Sequence, residues 1–319
     1  MLFPGSIKNF ELKPPQLTLA FSVLVINVFV YVLANLIFPP WPSKNSAADL
    51  QNKNFDLAMA QMYVQTLDPV ELSDINGLSE EEVAMQALKD HRFWARIETF
   101  PFKGDVVQIE NLKRIITQVK DEYTQSVQYQ FGLGSTQTSP WAWVTYQFTH
   151  YSLSHLFGNL VFLFLIIAYL EKFVDPFTII TVYLLGGIGG GIAFLLLNLD
   201  GNLSVIGASG SLCALMAFLM VVKKTETMPW TYFFAPVPRG YGEIYMPAFL
   251  IFPIYLIADF SAVLWAPAGV TSSIAHSAHI GGTITGLVLG FLYLLLAFFR
   301  RKTASHSVFS DNDWFNKLF

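Results

Sequence analysis

The chain has 319 residues, of which 53% are hydrophobic and only 13% charged. Soluble domains carry about 25% charged residues, so this composition and a mean hydropathy of +0.46 exclude an ordinary soluble enzyme and describe a chain with several membrane spans. A net charge of −4 and a pI of 5.8 carry no nucleic-acid signal, and the single cysteine, Cys213, excludes an internal disulfide and a CxxC metal site.

A helix needs about 20 apolar residues to cross the hydrocarbon core. Six windows qualify in chain order: 17–39, 150–171, 176–198, 205–222, 245–265 and 276–299. The first is too long for a secretory h-region and reads as a retained anchor. Between the first two spans lies a polar, acidic insert. Its stretch "SEEEVAMQALKDHRFWARIE" has helical periodicity, and Ser79 with Glu82 has the spacing of a capping box. The insert is long enough for a small helical subdomain, or for a helix lying on the membrane surface.

Charge sets the expected topology. Of the 19 Lys and Arg residues, nine fall in the insert, and with six spans the other ten all fall on one side. The short opposite loops "LNLDGNLS" and "WAPAGVTSS" carry none. Positive charge stays inside, so both termini are expected in the cytoplasm and the insert outside or in the lumen. A bacterial inner (cell) membrane suits this bias.

Polar residues inside a span are costly, so their placement is informative. His155 and Asn159 lie at the outer end of the second span, Ser209 of the fourth and His279 of the sixth. All four share one shallow layer. His155 and Asn159 are spaced i, i+4 and share a helix face. Gly282, Gly286 and Gly290 form a small-residue stripe that lets helices approach closely. A serine beside an imidazole is a usable nucleophile, because the imidazole takes the hydroxyl proton during attack. The oxyanion then needs preorganised donors. The Ser209 N–H and the His155 and Asn159 side chains are the candidates.

Three stretches carry a resemblance: "WAWVTYQFTHYSLSHLFGN" (141–159), "GASG" (207–210) and "AHIGGTITG" (278–286). Together and in this order they resemble the rhomboid family of intramembrane serine proteases. The resemblance implies Ser209 as nucleophile and His279 as base of a dyad, with His155, Asn159 and the Ser209 N–H as oxyanion hole. It implies no metal or other cofactor. Glu171 matches a recurrent structural glutamate of the family. Cys213 stands where the family often carries an aromatic residue against the histidine, and the long insert is atypical. His150 reads as a structural histidine, His276 as an interface residue and Asp259 as a water-facing carboxylate.

The expected fold class is an all-α, polytopic, six-helix rhomboid-like bundle with a polar helical insert. The expected units are a cytoplasmic tail with the first span (1–43), an extracytoplasmic insert (44–139), the rhomboid core (140–300) and a cytoplasmic tail (301–319). The expected partners are single-pass membrane protein substrates and the lipid bilayer, with the fifth span as a candidate lateral gate. Two alternatives remain at this point: a rhomboid-like client-binding protein without proteolysis, and a histidine-lined metal transporter.

Overall fold

The computed structural model describes residues 2–4, 18–39, 53–134, 139–198, 204–223, 227–233, 241–247, 250 and 274–304. Among these, four helices are long and apolar enough to cross a membrane. They lie in α1 (Thr18–Ile37), α9 (Leu153–Leu170), α10 (Pro176–Leu197) and α12 (Ile274–Ala304). The helix α11 (Ser209–Val222) is shorter, at 14 residues, and almost wholly buried. It spans about 21 Å at the usual rise, against about 30 Å of hydrocarbon. The fourth apolar window was expected to be helical from residue 205. Instead the helix opens at Ser209 itself.

Local signals explain where these helices begin. Asp175 accepts the Thr178 N–H at 2.9 Å and Pro176 occupies the first turn of α10, a position where its missing N–H costs nothing. Ser152 caps α9 by accepting the His155 N–H at 3.2 Å. The first turn of α1 is capped from afar. Glu171, just past the end of α9, accepts from Leu19 N at 2.9 Å and from Ala20 N at 3.4 Å. The carboxylate therefore holds the start of one span beside the end of the next.

Glycines set how closely α10, α11 and α12 pack. A Cβ on Gly282 would overlap the Gly210 carbonyl, and one on Gly286 would overlap the Ala214 carbonyl. On α10, Gly186 sits against Ala214 and Gly189 against Thr285. The stripe read from the sequence and the α10 glycines are thus close-packing surfaces, the arrangement small residues permit within membranes.

The insert folds on its own apolar core. Its helices are α2 (Lys53–Val64), α3 (Pro69–Asp74), α4 (Glu80–Lys89), α5 (His91–Arg96), α6 (Val106–Thr124) and α7 (Val127–Phe131). They bury Met59, Ala87, Phe93, Ile97 and Ile116 together. The apolar faces turn inward on one another. The capping box at Ser79 and Glu82 is present, with Ser79 N donating to Glu82 Oε2 at 2.7 Å and Glu82 N to Ser79 Oγ at 3.3 Å. A second box, Asp68 with Glu71, opens α3.

A short helix, α8 (Ala142–Thr145), and a 3-10 turn (Tyr146–Phe148) lead into α9. Three strands, β1 (Leu2–Pro4), β2 (Thr227–Phe233) and β3 (Tyr241–Pro247), form an antiparallel sheet in that order. No strand was expected in a helical bundle. "TMPWTYF" is too short for a periodicity signal, and its aromatic and Thr content suits a strand. The fifth apolar window lies outside the described residues, except that Tyr245–Pro247 close β3 and Leu250 follows. Asp259 also lies outside them.

Two outcomes follow. Gly286→Val forces α12 off α11 and lowers stability by about 1–3 kcal/mol or more, read as a lower thermal midpoint in detergent. Gly158→Ala, where a Cβ meets open space, leaves the midpoint unchanged. The Ser79 hydrogen bonds hold the Glu82 carboxyl below its ordinary value. Its contribution is therefore complete above the usual glutamate range and lost as pH falls through its lowered folded-state pKa. Glu82→Gln exchanges the amides of α4 faster than wild type at pH 7, and the gap closes as pH drops below the carboxylate range.

Candidate active site

The chain enters α11 through an extended segment whose backbone donors are nearly all engaged. Ser204 N donates to the Tyr123 hydroxyl at 2.8 Å, and Val205 N to the Leu133 carbonyl at 2.8 Å. Gly207 N donates to the Tyr146 carbonyl at 2.8 Å, and Ala208 N reaches His150 Nε2 at 3.5 Å. Gly207 has φ +130°, a conformation that disfavours any residue with a side chain. A Cβ there would also lie 2.8 Å from His155 Cε1. Glycine is required twice over: for the bend, and for the room beside the imidazole.

Ser209 is the first residue of α11, and no side chain caps that end. Its own N–H and those of the next two residues have no carbonyl in the preceding turn to bond, which suits them to a negative oxygen. The virtual Gly207 Cβ lies 3.8 Å from Ser209 Oγ and 3.1 Å from His155 Nε2, so hydroxyl and imidazole face one small space. Both residues are half-buried. His279 is half-buried on α12, three residues before Gly282 at the backbone contact with Gly210. Asn159 is buried and donates one amide hydrogen to the His155 carbonyl at 3.0 Å. The second amide hydrogen remains for another acceptor.

The order of these elements along the chain also matches a known family. Residues 137–296, half of the chain, match the Rhomboid domain. The chain belongs to the rhomboid family. It is 28% identical over 156 residues to Rhomboid-related protein 1 of Caenorhabditis elegans, covering 48% of this chain and 40% of that protein. It is 26% identical over 155 residues to RHOMBOID-like protein 5 of Arabidopsis thaliana, covering 49% of this chain and 44% of that protein. The matched stretch spans less than half the length of these curated relatives. The apolar helices and the Rhomboid domain make the chain an integral membrane protein.

His150, read from the sequence as a structural histidine, packs at this rhomboid site, and several residues not singled out there also shape it. His150 is 1% exposed, with its ring 5.1 Å from that of His155. The Tyr151 ring lies 4.6 Å from that of His155, tilted by 34°. His155 thus packs against two aromatic rings. Gln147, fully buried, links three elements: it donates to Trp143 O at 2.8 Å and accepts from Ser211 Oγ at 3.0 Å, while its carbonyl accepts from Tyr183 at 3.0 Å. The Tyr146 hydroxyl donates to the Gly187 carbonyl. These bonds tie the loop before α9 to α10 and α11. A glutamine or tyrosine beside an apolar run has no spacing signature, so only the folded chain reveals the network. Cys213 is buried one turn after Ser209. The His276 ring packs edge-on near His279 at 6.1 Å.

Proposed function

We propose that this rhomboid protein is an intramembrane serine endopeptidase that cleaves single-pass membrane proteins near the outer membrane face. The observation that carries this reading is Ser209 at the head of a short buried helix, its hydroxyl beside His155. That helix is packed backbone to backbone on the one bearing His279.

In this mechanism Ser209 Oγ attacks the scissile carbonyl carbon and its proton passes to His279. The oxyanion takes hydrogen bonds from the Ser209 N–H, the free Asn159 amide hydrogen and His155. His279 then protonates the departing amine as the C–N bond breaks, leaving an acyl ester on Ser209. Water attacks the ester, giving its proton to His279, and Ser209 returns with the release of the carboxylic acid. A membrane helix hides its carbonyls in hydrogen bonds, so the substrate must unwind locally first. The shortness of α11 favours water reaching this layer. We place both termini in the cytoplasm and the insert outside, on the positive-inside bias.

The test is cleavage of a single-pass reporter by the purified protein in detergent, beside labelling by a serine-directed phosphonate. Wild type cuts and is labelled at Ser209, while Ser209→Ala and His279→Ala do neither. Retained cleavage by Ser209→Ala would sink the assignment. Asn159→Ala lowers kcat by about 100-fold, the effect of losing one oxyanion donor, with little change in KM. An unchanged kcat removes Asn159 from the oxyanion hole.

A further inference from the structure

The insert meets the catalytic layer at a buried tyrosine, beside the Leu133–Val205 backbone pair. Tyr123 lies near the end of α6, 2% exposed, packed edge-on against Trp94 and Tyr129. Its hydroxyl accepts the Ser204 N–H at 2.8 Å and donates to Ser204 Oγ at 3.1 Å. Burial pushes the Tyr123 hydroxyl up to about 12, so it stays protonated at any working pH and fills both roles. Next to it, Leu133 and Val205 exchange both backbone hydrogen bonds, at 3.0 and 2.8 Å. A Cβ on Gly132 would lie 2.6 Å from Ser204 Cβ, and one on Gly134 2.7 Å from Ser204 Oγ. The strand is therefore seated flat under residues 132–134 and pinned at its outer end by the insert. Four residues separate Ser204 from Ser209, and the intervening N–H groups of Val205, Gly207 and Ala208 are each engaged.

We propose that Tyr123 is a positioning residue for Ser209. The insert, through the two hydrogen bonds of Tyr123 to Ser204, sets the height and tilt of the 204–208 segment. That segment fixes the Gly207 bend, and the bend places the Ser209 hydroxyl and N–H. A one-sided loss at Ser204 lets the segment shift, and a small displacement of a nucleophile costs far more in rate than in stability. This inference rests on the protease reading above. It adds a role for the insert, which the matched Rhomboid domain does not include.

Tyr123→Phe keeps the ring and its packing and removes only the hydroxyl. In the full-length protein it lowers kcat by about tenfold, leaves KM within about twofold and shifts the thermal midpoint little. It speeds hydrogen exchange of the 204–208 amides while α4 is unchanged. Ser204→Ala, which retains the N–H bond, gives a smaller kcat loss, and the double variant is no slower than Tyr123→Phe. An unchanged kcat in Tyr123→Phe overturns the proposal. So does a loss accompanied by an equal rise in KM or by general destabilisation, since either marks a merely structural contact. Should Tyr123→Phe not fold, Ser204→Ala decides alone: unchanged kcat and unchanged 204–208 exchange overturn it. Absence of cleavage and of Ser209 labelling in wild type sinks the protease reading instead. The exchange of residues 204–208 still reports separately whether Tyr123 holds the segment.

Discussion

Everything at the candidate site depends on the contact between α11 and α12 without side chains between them. Lipid gives no hydrophobic drive for helices to associate, so they meet through close packing. Gly282 lies on the Gly210 carbonyl and Gly286 on the Ala214 carbonyl. Ser209 precedes one contact residue and His279 lies a turn before the other. Any side chain at Gly282 would widen the gap by more than a hydrogen bond tolerates. The stripe therefore sets how closely the Ser209 and His279 helices approach as well as the fold.

The second constraint is the non-helical backbone leading into α11. Irregular backbone at membrane depth survives only where its polar groups are bonded within the protein. Here the donors come to rest on Tyr123, Leu133, Tyr146 and His150, residues drawn from the insert and from the loop before α9. The buried Gln147–Ser211 bond and the Tyr146 bond to Gly187 brace the same region from the other side. Such a network of buried hydrogen bonds favours one arrangement in a low-dielectric setting. The insert is thus part of the support for Ser209, although its own core is separate.

Much of this was legible from residue patterns, where a pattern has one physical meaning. Long apolar runs became α1, α9, α10 and α12, because length and hydropathy leave few alternatives. Ser79 with Glu82 became a capping box, because both halves of that bond are local. The Gly282, Gly286 and Gly290 stripe became a contact surface. Other features were hidden because their partners are remote. The Glu171 cap on α1 spans 151 and 152 residues of sequence. The three-stranded sheet pairs the first residues of the chain with residues near 230. His150 was legible as a structural histidine, but only the fold set it on the Ala208 N–H.

Sequence by itself determined the class of the molecule and four of its spans. Those properties follow from solvation: apolar length and misplaced polar side chains are readable one residue at a time. It also marked Ser209, His279, His155 and Asn159 as candidates. Only the tertiary structure decided that the serine helix is short, that Ser209 is its first residue, and that the segment before it hangs on Tyr123 and His150. Those are decided by where unsatisfied backbone groups find partners, and the partners lie in other elements brought close by packing.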